Sequence, residues 1–308
     1  MSQRTKPKAT IPVGAIQTSL GESPVWLDKI RTVAFVDIDC HSIHLQSVEN
    51  GDVRSLKVPG RPGFLAAVSE NLLIVGVECQ IWTFDPRSLC AQLLIELTDE
   101  FKGTRFNDAG VSADGFLWIG TMVPSTAPET ETASVYKLDE IGLKKVLGGF
   151  RTVNGIAIDS SGFLHVSDSE PSRRSIWRSK SPSPTGWSDM KLIHVTVLEN
   201  GRPDGAVFDS ADNYWFAGID AGRLVQISNC GRVDQSIQLP IKKPTKFVFG
   251  GHNTSTIYVT SMGPPRFGSP NSSDGRILKL DIPAVGAVPR YVKYYPRQSI
   301  RTEYWGVA

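Results

Sequence analysis

The stretch LWIGT, residues 117–121, decides the fold because it does not stand alone. TVAFVDID (32–39), LLIVGVE (72–78), FLHVSDS (163–169), YWFAGID (214–220) and TIYVTSM (256–262) repeat its pattern along the chain. Such short apolar runs with period-two alternation read as half-buried strands. Aligned on Val36, Val75, Ile119, Val166, Phe216 and Val259, the six units are spaced from 39 residues (Val36 to Val75) to 50 (Val166 to Phe216). Propeller blades recur at about 40–50 residues. Each unit has another apolar run ahead of it across a tight turn, such as SPVWLD, AGVSADG or GAVFDSADN, and further strand-like pieces behind it, such as SVYKLD and RLVQIS. That makes about four strands per unit, and sustained 3.6-residue periodicity is almost absent. The expected architecture is all-β, a six-bladed β-propeller.

Every blade of such a ring buries its faces against two neighbours, so residues 1–308 are read as a single domain. Residues 1–14 are expected to be a flexible N-terminal extension, SKSPSPTGWSD (179–189) an exposed loop, and the tail after Pro283 a contribution to ring closure. The net charge of +2, from 33 basic and 31 acidic residues without a long block of one sign, excludes the electrostatic signature of a dedicated nucleic-acid binder. RTKPK near the start and IKKPTK (241–246) read as solvated faces. The four cysteines form no C-x-x-C pair and are expected to be small core residues in a reducing compartment. With no apolar run of about 18 residues and no signal-peptide core, the chain reads as cytoplasmic, with a small-molecule substrate and neither membrane nor nucleic acid as partner.

RFND (105–108) does not fit a plain strand, since burying its donors and acceptors without partners would cost about 1–3 kcal/mol each. The repeat register explains it. Twelve positions before the aligned residue stand Asn107 in the third unit, Asn154 in the fourth and Asp204 in the fifth. In the first unit the turn is longer by two residues, and Glu22 takes that place. In a ring, these positions converge at one mouth of the central channel. Two carboxylates and two amides form an all-oxygen donor set, suited to a hard divalent cation such as Ca²⁺, Mg²⁺ or Mn²⁺ rather than a structural zinc. The competing reading is that Asn and Asp before Gly, in VNGIA and PDGAV, are turn residues that tolerate left-handed geometry.

GESPVW, RFNDAGVSADGFLWIGTM, VNGIAID, RPDGAVFD and FGGHNTSTIYVTS resemble, in order, the motifs of the SMP-30/gluconolactonase/LRE (regucalcin-like) family. The resemblance runs from about residue 17 to 262. It implies a six-bladed propeller with one divalent cation in the channel, Ca²⁺ first and Mg²⁺, Mn²⁺ or Zn²⁺ as alternatives, and hydrolysis of a lactone. Carried over by motif, Glu22, Asn154 and Asp204 would hold the metal. Asp204 would also be the catalytic general base, and Arg105 and Asn107 would contact substrate. The sequence departs from the family in one place. Relatives acting on sugar lactones often have acidic residues soon after Gly-Thr-Met, where this chain has Val123, Pro124 and Ser125, with Glu129 and Glu131 further on.

The implied chemistry is attack of water on a cyclic ester, with the cation polarising the carbonyl and Asp204 taking the proton. No G-x-S-x-G elbow points to a serine hydrolase, and no H-x-x-x-H pair to an imidazole metal site. His165 reads as a core histidine and Arg105 alternatively as an ion-pair partner of Asp108. Two other functions compete: cyclisation or isomerisation of a less polar natural product in the same channel, and a non-catalytic calcium-binding propeller.

Overall fold

The computed structural model describes residues 3–5, 10–97, 101, 103–130, 132–180, 189–269, 272–282, 284–297 and 301–304. Six sheets follow one another along the chain, each with four antiparallel strands, consecutive except in blade six, where the N-terminal segment supplies the fourth; further strands from the two chain ends join the edges of blades two and five. The repeated runs form the second strand of each blade: Thr32–Asp37, Leu72–Val77, Leu117–Met122, Leu164–Asp168, Tyr214–Gly218 and Thr256–Ser261. The apolar runs ahead of them are the innermost strands, Gly21–Leu27, Pro62–Ser69, Arg105–Val111, Val153–Ile158, Pro203–Phe208 and Pro244–Gly250. These six border one another around the axis. The architecture is a six-bladed β-propeller.

Six apolar clusters hold the ring, and each straddles one boundary between neighbouring blades. Trp26 of blade one, for instance, stacks on Tyr258 of blade six with ring centroids 5.2 Å apart and planes 9° from parallel. Large side chains such as Phe64, Phe106, Phe216 and Phe247 are fully buried, and each Å² of apolar surface taken from water favours the packed blades by about 25 cal/mol.

The termini depart from the sequence reading. Thr10–Val13, inside the stretch expected to be a flexible extension, pairs antiparallel with Ile277–Asp281 as the outermost strand of blade six. Gln3–Thr5 pairs parallel with Val233–Gln238 of blade five. Edge strands carry unpaired backbone donors and acceptors, and these segments satisfy them. Ring closure therefore comes from the N-terminal side. The tail after 283 runs instead beneath the blades, where Ser210 N–H donates to Val285 O at 2.8 Å, Arg290 Nη1 to Ile158 O at 2.6 Å and Val292 N–H to Ala67 O at 2.8 Å. Arg301–Tyr304 then adds a strand to Cys90–Glu96 of blade two.

The cysteines are free but are not core residues: Cys40 and Cys230 are exposed, and Cys79 and Cys90 half-buried. His165 is buried, its Nδ1 3.3 Å from Phe163 O and its ring against Phe208 and Tyr214. Among the described residues no helix is long and apolar enough to cross a membrane. Of the loop expected at 179–189, residues 181–188 lie outside the described residues, as do Pro283 and Glu131.

Candidate functional site

A recurring irregularity builds the site. Each innermost strand breaks register with its neighbour near its start: between Glu22 and Val25 in blade one, Phe106 and Asp108 in blade three, Asn154 and Ala157 in blade four, and Pro203 and Ala206 in blade five. A bulge bends a strand and re-aims the side chains beside it. Here those side chains meet on one cavity of about 320 Å³ at the mouth where the innermost strands begin, and Glu22, Arg105, Asn107, Asn154 and Asp204 all line it. The turn alternative does not describe these residues. Left-handed backbone falls on Gly155 (φ 58°) rather than Asn154, and in PDG neither Asp204 nor Gly205 adopts it.

Four donors come from four blades and are buried, with Glu22 7%, Asn107 9%, Asn154 7% and Asp204 5% exposed. Asn107 Nδ2 donates to Asn154 Oδ1 at 3.1 Å and to Val153 O at 3.0 Å, while Asn154 Nδ2 donates to Ser169 Oγ at 3.0 Å. That chain fixes the Asn154 amide and leaves a second lone pair on its Oδ1. Glu22 Oε2 accepts the Ser23 N–H at 2.8 Å. Burial, reinforced by the Asp108 charge, pushes the Glu22 carboxyl up to about 8. Burial and the Glu22 charge raise Asp204 well above the usual carboxylate range. Arg105 is half-buried, donates to Phe106 O at 2.8 Å and has no carboxylate partner among the described residues. Burial lowers it to about 10, so it stays a cation at neutral pH.

Sequence reading missed several neighbours. IKKPTK is not a solvated face throughout: Lys246 is 6% exposed, and its Nζ is bonded to Asp108 Oδ1 and donates to Ala109 O at 2.9 Å. The partner of Asp108 is therefore Lys246, not Arg105. The available signal was the register of blade six, where PTKFVF falls at the start of an innermost strand. Ser169, Glu170, Arg202 and Arg266 also line the cavity, with Arg202 paired to Asp220 and Arg266 to Asp39. Ser169 closes the FLHVSDS run and Arg202 directly precedes an innermost strand, whereas Glu170 and Arg266 lie on loops after strands, where no repeat marks them. In the stretch that departs from the family, Val123 and Ser125 line the cavity, whereas Pro124 and Glu129 are exposed and outside its lining.

Two buried carboxylates with no cation within ion-pairing distance among the described residues, beside two amides, make a set that a hard divalent ion fits. Fold and cavity together define a six-bladed propeller with an oxygen-lined pocket at one mouth. The chain belongs to the SMP-30/gluconolactonase/LRE-like family, whose sequence pattern matches residues 20–263. It is similar to 6-deoxy-6-sulfogluconolactonase of Pseudomonas putida, 30% identical over 246 residues that cover 79% of this chain and 83% of that protein. It is also similar to regucalcin of Gallus gallus, 25% identical over 256 residues covering 81% and 85%. Among solved structures, a calcium-binding regucalcin of Agrobacterium tumefaciens shares the fold with a TM-score of 0.83 at 21% identity, covering 95% of this chain and 100% of that one.

Proposed function

We propose that this protein is a divalent-metal-dependent lactone hydrolase in which Glu22, Asn154 and Asp204 hold the cation. The observation that carries the reading is the gathering of two uncompensated buried carboxylates with Asn107 and Asn154 on one cavity, supported by membership of a family with relatives named as lactonases. Ca²⁺ is the first candidate, since an all-oxygen set with amide donors and room for water suits it.

When bound, such a cation supplies polarisation of the lactone carbonyl and a lowered pKa for the attacking water. The chain's own residues do the rest. Asp204 accepts the water's proton as general base, a role worth about 10²–10⁴-fold in rate. Asn107 orients the Asn154 amide through its 3.1 Å hydrogen bond and leaves its own oxygen toward the cavity. Arg105, whose guanidinium lacks an ion partner among the described residues, donates to substrate oxygen and binds the charge that develops on it. Met122, Val123, Leu20, Ile38 and Met262 supply apolar surface of the cavity that limits water around the bound ring.

The test is hydrolysis of sugar, alkyl and aryl lactones by chelator-treated protein before and after adding back Ca²⁺, Mg²⁺, Mn²⁺ or Zn²⁺. Turnover that appears only with a cation supports the proposal. Turnover indifferent to chelation, or one-to-one cation binding without hydrolysis of any lactone, rejects it.

A further inference from the structure

We infer that Lys246 is a positioning residue that keeps the Asp108 carboxylate away from the channel's cation, so that the ion meets two carboxylates instead of three. The inference rests on the metal-dependent reading above.

Three buried carboxylates approach the axis from alternate blades: Glu22 from blade one, Asp108 from blade three and Asp204 from blade five, 7%, 1% and 5% exposed. Asp108 directly follows the cavity-lining Asn107, yet neither of its oxygens is available. Oδ2 accepts the Ile156 N–H at 2.9 Å, and Oδ1 is taken by Lys246 Nζ. Lys246 reaches it from blade six, and it also lines a second, apolar hollow of about 210 Å³ on the far side of the channel. The ammonium is itself anchored by Ala109 O at 2.9 Å. It is tied on both counts and is not a free nucleophile.

Charge balance makes the pairing consequential. Buried ions must be matched nearby. Among these carboxylates Lys246 offsets the charge of Asp108 and leaves Glu22 and Asp204 to face the ion, with the Arg105 guanidinium as a further cation on the cavity. Without the ammonium, Asp108 would be a buried anion with one oxygen unpartnered, and a cation beside Asn107 is the group that could satisfy it. A third carboxylate raises affinity, because ligand charge count tunes such sites. It also fills a coordination position that catalysis requires open.

The test is calorimetric titration of Ca²⁺ into chelator-stripped wild-type protein, Lys246→Met, Asp108→Asn and the double variant. Lys246→Met is expected to lower Kd by about tenfold or more, and Asp108→Asn, which leaves the ammonium facing the ion, to raise it by about as much. The double variant should return to within about threefold of wild type, since pair and counter-charge go together. A merely structural role would weaken binding in both single variants. Shifts in the same direction, or none, overturn the inference while leaving the metal reading intact. A wild-type protein that takes up no divalent ion overturns both. Should stripped Lys246→Met fail to fold, Asp108→Asn and the double variant decide: weakened binding restored in the double supports the inference, and equal Kd in the two overturns it.

Discussion

At the scale of single residues, Asp204 and Glu22 carry the most testable consequences. Asp204→Asn keeps an oxygen toward the cavity but removes the proposed base, so turnover should fall by about 10²–10⁴-fold with the fold retained; unchanged kcat would remove Asp204 from the mechanism. Glu22 yields a pH prediction. Its carboxyl is held at about 8 in the folded protein against an ordinary 4.5, so between these values the cation-free fold keeps a proton that the unfolded chain has lost. Stability of stripped protein should therefore fall as pH rises toward 8, with the raised Asp204 carboxyl adding in the same sense. His44 and His165, held down to about 4, act in the opposite sense, but only below their ordinary 6.5. The clean window is pH 6.5 to 8, in which the Tm of stripped protein should drop while the stabilisation by added Ca²⁺ grows. A Tm that rises across that window in chelator would contradict the account. These donors were legible in the sequence because the repeat put Asn107, Asn154 and Asp204 at one offset. Lys246 was not, because a lysine in a basic run looks solvated until the strand that buries it is placed.

At the scale of elements, the working unit is the innermost strand with its bulge. Alternation identified the first two strands of every blade, but a bulge adds a residue without changing composition, so no pattern announces it. Blade four shows what it requires. Gly155 has a φ of 58°, its carbonyl accepts the Tyr214 hydroxyl at 2.7 Å, and a Cβ at this position would sit 2.4 Å from that oxygen. Gly155→Ala thus combines left-handed strain of about 1–3 kcal/mol with a displacement of the strand that carries Asn154. Loss of Tm together with weaker cation binding is the expected outcome. Tyr214→Phe, which removes the hydroxyl without adding a clash, should affect binding less. Equal cation affinity in wild type and Gly155→Ala would show that the bulge does not position the donor.

Closure and the cavity wall belong to the whole molecule. Blade number and order could be read from the spacing of like runs, whereas the partner of the last blade could not, since strand pairing between chain ends leaves no local signal. Thr10–Val13 seals blade six, with Val13 in the cluster shared with blade one. Deleting residues 1–13 should lower Tm by at least about 5 °C, given about 2–4 °C per kcal/mol for chains of 150–250 residues. An unchanged Tm would mean that the ring is held by its inter-blade clusters alone. The same assembly sets the substrate. Leu20 and Ile38 of blade one, Met122 and Val123 of blade three, Ile219 of blade five and Met262 of blade six add apolar surface to the cavity among its polar donors. A polyhydroxylated ring would turn some hydroxyl groups toward these apolar side chains without partners, whereas a well-placed apolar group gains about 1–3 kcal/mol there. The preferred lactone should therefore be less polar than a simple aldonolactone, with Ser125, Glu170 and the arginines meeting its remaining oxygens. With spontaneous hydrolysis subtracted, kcat/KM for an alkyl- or aryl-substituted lactone should exceed that for gluconolactone of similar ring size by about tenfold or more. Val123→Glu, which restores a carboxylate to the wall, should narrow the gap. A clear preference of the wild-type protein for gluconolactone would show instead that Glu170, Arg202 and Arg266 recognise the hydroxyls, and that the apolar lining is merely structural.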